Sequence, residues 1–265
     1  MAASADHLGA RDNLPTVGAI ALIAMCLVTF THEGLGHGGA CLALGGRVEL
    51  LSSSLFHCDR ASPVIDAAGP LTNLSLGLAA LALRMLVPAE RAGWRLFLIL
   101  LTAFSLLWEG GYLVQAMLLR NGDLYFALRN VLSGPDLWWR CVSGALGVLI
   151  YGAAVVITSR ALAGLWPDLV QARRAARAAW LVAVVGAALA AVFYRGADTA
   201  RNFHDTMTEI GLAAVPLLLI PRGRRASSAP GPARIVLSPL TLVLAAGVFA
   251  LFAATQGRGL PWVSA

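Results

Sequence analysis

Long apolar runs, separated by short stretches rich in Arg, Pro and Gly, dominate this sequence. About 20 residues of α-helix cross a hydrocarbon layer of about 30 Å, and seven runs approach that length. The runs extend from Leu14 to Leu44, Pro63 to Val87, Gly93 to Leu119, Leu137 to Ala161, Ala175 to Tyr194, Thr206 to Pro221 and Ile235 to Thr255. The sixth is the shortest. The pattern predicts an all-α, polytopic transmembrane helical bundle of six to seven spans.

The stretch after the first run has a different pattern. Gly45 and Gly46 interrupt the helical pattern, and the residues from Arg47 to Leu51 alternate weakly between polar and apolar. This predicts a short strand or hairpin at the membrane surface. The Ser/Pro/Gly-rich stretch Ala226 to Pro232 is interpreted as a connector between helices, because no repeat or domain boundary is evident. We therefore predict a single integral membrane domain over residues 1–265.

The composition supports a membrane location. Of the 265 residues, 58% are hydrophobic and 13% charged, more apolar than a water-soluble exterior allows. All 20 basic residues are arginine, and with the excess of Ala and Gly this is typical of a bacterial coding bias. The net charge of +6 lies in short loops, where arginines meet anionic lipid headgroups. We expect a bacterial cytoplasmic (inner) membrane protein with lipid around it and no nucleic-acid partner.

The distribution of arginines predicts the orientation of the chain. Cytoplasmic loops are enriched in Lys and Arg. The even-numbered loops between the predicted spans hold eleven arginines: Arg84, Arg91, Arg95, Arg160, Arg173, Arg174, Arg177, Arg222, Arg224, Arg225 and Arg234. We therefore predict that these loops and the N-terminus lie inside. With seven spans, the C-terminus then lies outside.

The order of the spans also places the odd-numbered loops together. The first, third and fifth loops must share one side of the membrane, whichever side that is. The end of the first run, the loop with Asn121-Gly122-Asp123 and the loop with Asn202, His204 and Asp205 therefore face the same compartment. Most of the metal-binding residue types in the chain converge there.

The four cysteines do not form a recognisable motif. Cys26, Cys41, Cys58 and Cys141 include no C-x-x-C pair, which argues against a zinc ribbon and a thioredoxin-like site. We interpret them as packing residues, although Cys41 and Cys58 share a side with the polar end of the first run and a disulfide or metal role stays open for them. No A-x-A cleavage site follows the first run, so we expect it to remain in the mature protein.

The first run carries the strongest candidate for chemistry, His32-Glu33-Gly34-Leu35-Gly36-His37. Ionisable residues at membrane depth cost free energy unless they are paired, line a cavity or bind a metal. His32 follows Leu14 by 18 residues, or about 27 Å of helix, and so lies near the far edge of the hydrocarbon layer. Water can reach that depth, as a hydrolytic metal site requires.

The spacing of the two histidines demands a distorted helix. In an H-E-x-x-H motif, histidines four residues apart share a helix face and bind zinc, and the glutamate is the general base. His32 and His37 are five apart, which leaves them about 140° out of register on a regular helix. We predict a local bulge that absorbs the extra residue, made easy by Gly34, Gly36, Gly38 and Gly39.

Two resemblances follow from these residues. The six-residue motif is similar to the H-E-L-L-G-H motif of dipeptidyl-peptidase III, a soluble zinc peptidase with the same spacing. The wider context resembles the site-2 protease clan of intramembrane zinc metalloproteases. The residues that carry this second resemblance are His32 to Ala40, Leu44-Gly45-Gly46-Arg47-Val48, Ala68-Gly69-Pro70-Leu71-Thr72-Asn73-Leu74, and Gly111-Tyr112 ahead of Asn121-Gly122-Asp123. They span roughly the first half of the chain (14–130), and the additional helices (137–255) match no family.

The resemblance to the site-2 protease clan implies a set of roles. It implies zinc as cofactor, His32, His37 and Asp123 as ligands, and Glu33 as catalytic base. Asn73 would orient the substrate or the active-site water.

Several of these residues have competing interpretations. His204 and Asp205 offer alternative donors for the third ligand, although we favour Asp123. Asn121-Gly122-Asp123 is also typical of a reverse turn, and Gly69-Pro70 and Asn73 are also typical of a helix start with close helix contacts. Glu109 lies in an apolar run and is either a second ligand, a proton-handling group or half of a buried ion pair.

The sequence thus favours a zinc metalloendopeptidase-like membrane protein, with zinc-activated water hydrolysing peptide bonds of membrane-embedded or membrane-proximal substrates. A non-catalytic membrane scaffold or regulator that keeps the fold is the alternative. A transporter of metal or small solutes ranks third, because no pair of broken helices occurs in matching halves.

Overall fold

A computed structural model describes residues 12–166, 168–221 and 234–261 of the chain. The predicted connector Ala226 to Pro232 and the arginines at 222, 224 and 225 lie outside the described residues. The α-helices are α1 Leu14–Phe30, α2 Gly39–Ala43, α3 Pro63–Arg84, α4 Ala92–Leu119, α5 Asp123–Val131, α6 Leu137–Leu165, α7 Leu169–Val192, α8 Thr199–Thr206 and α9 Pro239–Phe252. The strands are β1 Val48–Leu51, β2 Phe56–Cys58 and β3 Leu260–Pro261.

The predicted all-α membrane bundle is confirmed. Within the described residues, six helices are long and apolar enough to cross a membrane. They are Leu14–Ala43, Pro63–Arg84, Ala92–Leu119, Leu137–Leu165, Leu169–Val192 and Pro239–Gly257. The first consists of α1, a π-helix from Thr31–Gly38 and α2, and the last continues from α9 through a π-helix at Ala253–Gly257.

The predicted sixth span, Thr206 to Pro221, is not one continuous helix. It divides into a π-helix at Met207–Leu212 and a 3₁₀-helix at Val215–Leu218, preceded by α8. A backbone turn after Leu212 and Pro216 in the 3₁₀-helix separate these pieces, and Pro216 has no N–H to continue an α-helical ladder. We refer to residues 199–221 as the interrupted segment.

The interrupted segment nevertheless runs the length of α7 in the opposite direction. The Trp180 indole N–H donates to the carbonyl of Gly211, and Arg177 and Arg173 donate to the carbonyls of Leu218 and Pro221. The chain therefore reaches the beginning of α7 before α9 returns.

Local signals explain where the long helices begin. Asn13 caps α1, with its side-chain oxygen accepting from the Thr16 amide at 2.9 Å. Ser62 and Ser238 cap α3 and α9 in the same way, and a proline follows each cap at the first helical position. A proline suits that position because its missing N–H would have no partner there. Gly69-Pro70 lies inside α3, so the alternative interpretation of these residues as a helix start is wrong.

Small residues bring α1 and α7 together. A stripe of alanines on α7 is buried, and Gly18 and Gly186 lie where an added Cβ would meet Val182 and Leu22 within 3 Å. Close approach of small residues is a usual basis for helix packing in membranes, where lipid provides no hydrophobic drive. This contact holds the first span in the centre of the bundle, and its polar end is buried there.

A small sheet covers the end of the first span. β1 pairs antiparallel with both β2 and β3, which confirms the predicted surface hairpin. A disulfide joins Cys41 of α2 to Cys58 of β2. The interpretation of this pair as unlinked packing residues is therefore wrong. The disulfide alternative is correct, whereas Cys26 and Cys141 are free thiols.

Candidate metal centre

The histidine motif lies on a π-helix, which solves the spacing problem. Thr31–Gly38 forms eight residues of π-helix between α1 and α2. A π-helix is hydrogen-bonded from residue i to i+5 and turns less per residue than an α-helix, so His32 and His37 lie close to the same face. The predicted bulge is therefore present, and it extends over the whole motif.

Two glycines allow the motif to contact α3 directly. A Cβ added to Gly36 would lie 2.5 Å from the Cα of Gly69, and one added to Gly69 would overlap the His37 ring. The backbones of the motif and of α3 are in direct contact here, so neither can move easily to make room for a side chain. Gly69 is therefore required for the imidazole of His37 to occupy its position.

Three ligand atoms from distant parts of the chain come together at the motif. The Nε2 atoms of His32 and His37 are 3.3 Å apart, and the Oδ2 of Asp123 lies 3.4 and 3.3 Å from them. In a tetrahedral zinc site with bonds of about 2.0 to 2.2 Å, ligand atoms are separated by about 3.3 to 3.6 Å. The three atoms thus have the spacing of three corners of such a site, and the group could hold a metal ion.

The hydrogen bond of His37 determines which of its nitrogens is free. Its Nδ1 lies 2.7 Å from the carbonyl of Ile65, which can only accept, so Nδ1 carries the proton. Nε2 is then the nitrogen left to bind a metal, and it faces the ligand group. Phe56 of β2 stacks on the ring, with centroids 5.4 Å apart, and restricts its rotation.

A buried polar network orients His32 in the same manner. Its Nδ1 donates to Oε1 of Glu109 at 2.8 Å, and the same oxygen accepts from the Asn73 amide at 2.7 Å. The Ser105 hydroxyl donates to Oδ1 of Asn73. Trp108 stacks on the imidazole at 4.5 Å. Carboxylate partners of this kind fix the orientation of metal-binding histidines and increase their basicity.

This network contains Glu109 and Asn73, two residues for which the sequence left more than one interpretation open. Glu109, 1% exposed, is a hydrogen-bond partner of His32 rather than a member of the three-atom group. The Asn73 amide faces Glu109 and Ser105, behind His32. Asn73 is not among the residues that line the polar cavity described below, and its implied role in orienting substrate or water stays a prediction.

Asp123 begins α5 immediately after a tight turn. Arg120 and Gly122 have positive φ angles of 54° and 96°, so Asn121-Gly122-Asp123 is a turn as well as a source of a candidate ligand. Tyr112 donates its hydroxyl hydrogen to the Asp123 carboxylate and accepts from the Asp123 amide. Burial alone would raise the pKa of Asp123, but the imidazoles of His37 and His32 outweigh it and hold the pKa well below its ordinary value.

A polar cavity of about 160 Å³ opens beside the three ligand atoms. Glu33, only 3% exposed, lines it together with His37 and Asp123. Glu209, from the π-helix of the interrupted segment, lines the same cavity. Its Oε2 atom is buried and has no hydrogen-bond partner among the described residues. Glu209 is a functional candidate that the sequence reasoning missed.

The alternative third ligands do not join the group. Asp205 lies in the cavity wall, but it pairs with Arg201 and with the exposed His204. Neither Asp205 nor His204 belongs to the described set of converging atoms. Among the candidates weighed, Asp123 is the one that lies beside both histidines.

Fold and site together define a polytopic helical membrane protein with a candidate His/His/Asp metal centre at the polar end of its first span. Comparisons with known proteins found no family model, no curated protein and no solved structure that matches the chain. The resemblance to the site-2 protease clan therefore remains an expectation from the motifs.

Proposed function

We propose that the protein is a zinc-dependent intramembrane endopeptidase, acting on membrane-embedded or membrane-proximal polypeptides. The observation that carries the proposal is the spacing of 3.3 to 3.4 Å among one carboxylate oxygen and two imidazole nitrogens. Three protein ligands with a fourth position open to water are characteristic of catalytic zinc sites.

The residues around the centre have the properties that peptide hydrolysis needs. When bound, zinc supplies a water of lowered pKa and polarises the substrate carbonyl. Glu33, buried in the cavity wall, accepts the proton of the attacking water and delivers it to the leaving amine. Glu109 and the Ile65 carbonyl hold the two histidines in the tautomer that leaves Nε2 free.

The test combines metal analysis with a single substitution. The purified protein should contain about one zinc per chain, and His32→Ala should lose it. Glu33→Gln should retain zinc and reduce cleavage of labelled single-span peptides in liposomes by about 100-fold or more, the contribution of a general base. Glu49→Gln, at an exposed position of β1, is the matched control and should leave cleavage unchanged.

Two outcomes would contradict the proposal. Bound zinc without cleavage of any peptide by the unsubstituted protein would favour the non-catalytic scaffold. Absence of zinc, together with unchanged cleavage by His32→Ala, would remove the metal centre from the reaction.

A further inference from the structure

A second cavity lies beside the polar one, at the lipid-facing side of the bundle. Its volume is about 420 Å³, and it lies between α4, α6 and the interrupted segment. Apolar side chains form most of its wall, including Trp108, Val114 and Tyr151. Val148 and Leu212, 59% and 65% exposed, stand at its rim, so the cavity opens toward lipid. We call it the apolar cleft.

The apolar cleft and the polar cavity share four polar wall residues, which we call the neck. Tyr112, Gln115, Thr208 and Glu209 line both cavities. Tyr112 also contacts the Asp123 carboxylate. A molecule that occupies the cleft from the lipid side therefore contacts residues that also line the cavity at the candidate metal centre.

The chemistry of the neck favours a polypeptide occupant over a lipid. Glu209 presents a buried carboxylate oxygen that no described residue satisfies. A buried carboxyl oxygen without a hydrogen-bond partner costs free energy. A peptide backbone offers both an N–H and a carbonyl, so it satisfies this oxygen whether the carboxyl group is ionised or protonated. The hydrocarbon chain of a lipid offers neither group.

We propose that the apolar cleft is a side-chain specificity subsite. It takes a large apolar residue of a membrane-embedded polypeptide, while Glu209 hydrogen-bonds to the backbone of the same segment. The subsite adds a side-chain preference to the proposed function. It rests on that function, which specifies that the bond broken is a peptide bond. It defines the preferred substrate as an unwound, lipid-facing segment with a large aliphatic or aromatic residue beside the scissile bond.

Gly152 of α6 offers a way to fill the cleft without moving the helix. It lines the cavity, and a Cβ added there meets no atom within 4 Å. Gly164 on the same helix is also exposed with open space around it, but it is not part of the cleft wall. Gly152→Leu and Gly164→Leu are thus a matched pair.

The experiment measures binding in the full-length Glu33→Gln protein, so that hydrolysis is not required. The probes are two dansyl-labelled dodecapeptides in detergent micelles, identical except for leucine or serine at the four central positions. We expect the protein to bind the leucine peptide roughly tenfold more tightly, beyond what micelle partition gives. Gly152→Leu should abolish this preference and Gly164→Leu should keep it, because micelle partition is common to both variants.

Two results with the glycine variants would overturn the subsite: a leucine preference that survives Gly152→Leu, or one that Gly164→Leu reduces equally. Oleate could also displace the leucine peptide from the protein with Gly152 but not from Gly152→Leu. That result would assign the cleft to acyl chains and would also overturn the subsite. The proposed function fails separately. If the peptide binds in the cleft but the unsubstituted protein does not cleave it, the subsite stands and the proposed function fails. If the unsubstituted protein cleaves peptides without selectivity at the cleft, the proposed function stands and the subsite fails.

Discussion

At the scale of single residues, the site depends on groups that never touch the candidate metal position. The carboxylate of Glu109 and the carbonyl of Ile65 each accept from an Nδ1 atom, and both histidines therefore present Nε2 to the same point. Two lone pairs and a carboxylate only 3.3 to 3.4 Å apart repel one another unless a proton or a cation lies between them. A shared proton or a bound metal ion relieves this repulsion, and zinc analysis of the purified protein distinguishes the two.

Glu109→Gln tests the supporting role of this carboxylate. The amide keeps the shape but removes the charge that strengthens His32 as a ligand. We expect zinc affinity to fall about 10- to 100-fold, the usual effect of losing such a partner. Competition with a fluorescent zinc chelator measures it, with Glu49→Gln as the exposed control. Equal affinities in the two variants would contradict the supporting role.

Gly69→Ala tests the close approach between α3 and the motif. The added methyl group overlaps the His37 ring, so the imidazole must move and zinc affinity should fall at least tenfold. Gly39→Ala is the control, because a Cβ there meets no atom within 4 Å and alanine favours helix. Zinc titration measures the affinity of both variants, and circular dichroism verifies that they fold. Full zinc affinity in Gly69→Ala would show that the close approach is not required for binding.

The sequence predicted the chemistry of individual residues better than their partners. His32, Glu33 and His37 stood out because ionisable groups are costly in an apolar run. Glu109 stood out for the same reason, but its partner lies 77 positions away, and no local pattern indicates such a pairing. Glu209 carried the same signal and was missed. It lies in the shortest run, where a carboxylate in apolar surroundings should have been weighed like Glu109.

At the scale of elements, the extra residue in the motif had a specific structural outcome. A five-residue spacing excluded a regular helix, and the bulge was predicted on that ground. The sequence could not predict that the π-helix would extend over Thr31–Gly38. Nor could it predict that the sixth predicted span would also contain a π-helix. Such distortions depend on packing against neighbours, here the contact of Gly36 with Gly69.

The disulfide fastens β2 to the end of the first span, close to the site. Because Cys58 is two residues from Phe56, which stacks on His37, the bond also restrains the histidine. Cys58→Ser should lower the free energy of unfolding by about 3 kcal/mol, the chain-entropy value for a loop of this size, and should weaken zinc binding.

Thermal unfolding in detergent, with and without dithiothreitol, measures this effect. The reductant should lower the Tm of the unsubstituted protein to that of Cys58→Ser and leave the variant unchanged. Cys141→Ser removes an exposed free thiol and is the control. A Tm that is insensitive both to the reductant and to Cys58→Ser would show that the bond contributes nothing to stability.

At the scale of the whole molecule, the order of the spans gathers the polar residues on one side. Ser52 and Ser54 of the first loop hydrogen-bond to Asn202 of α8, and Asp123 follows the third predicted span. Three loops distant in sequence thus close over the candidate centre, as the parity of the spans predicted. The sequence predicted Thr206 to Pro221 as one short span. Its division into a π-helix and a 3₁₀-helix could not be predicted, because an apolar run does not show where the helix is interrupted.

The last prediction concerns which compartment this side faces. The arginine distribution predicts that it faces the outside, and a disulfide between Cys41 and Cys58 is typical of an oxidising compartment. In intact cells expressing a Cys141→Ser background, a membrane-impermeant maleimide should label Ser133→Cys, exposed in the loop before α6. It should label Glu90→Cys, exposed between α3 and α4, only after permeabilisation. The reverse pattern would place the candidate centre at the cytoplasmic face, and the disulfide would then have to persist against a reducing environment.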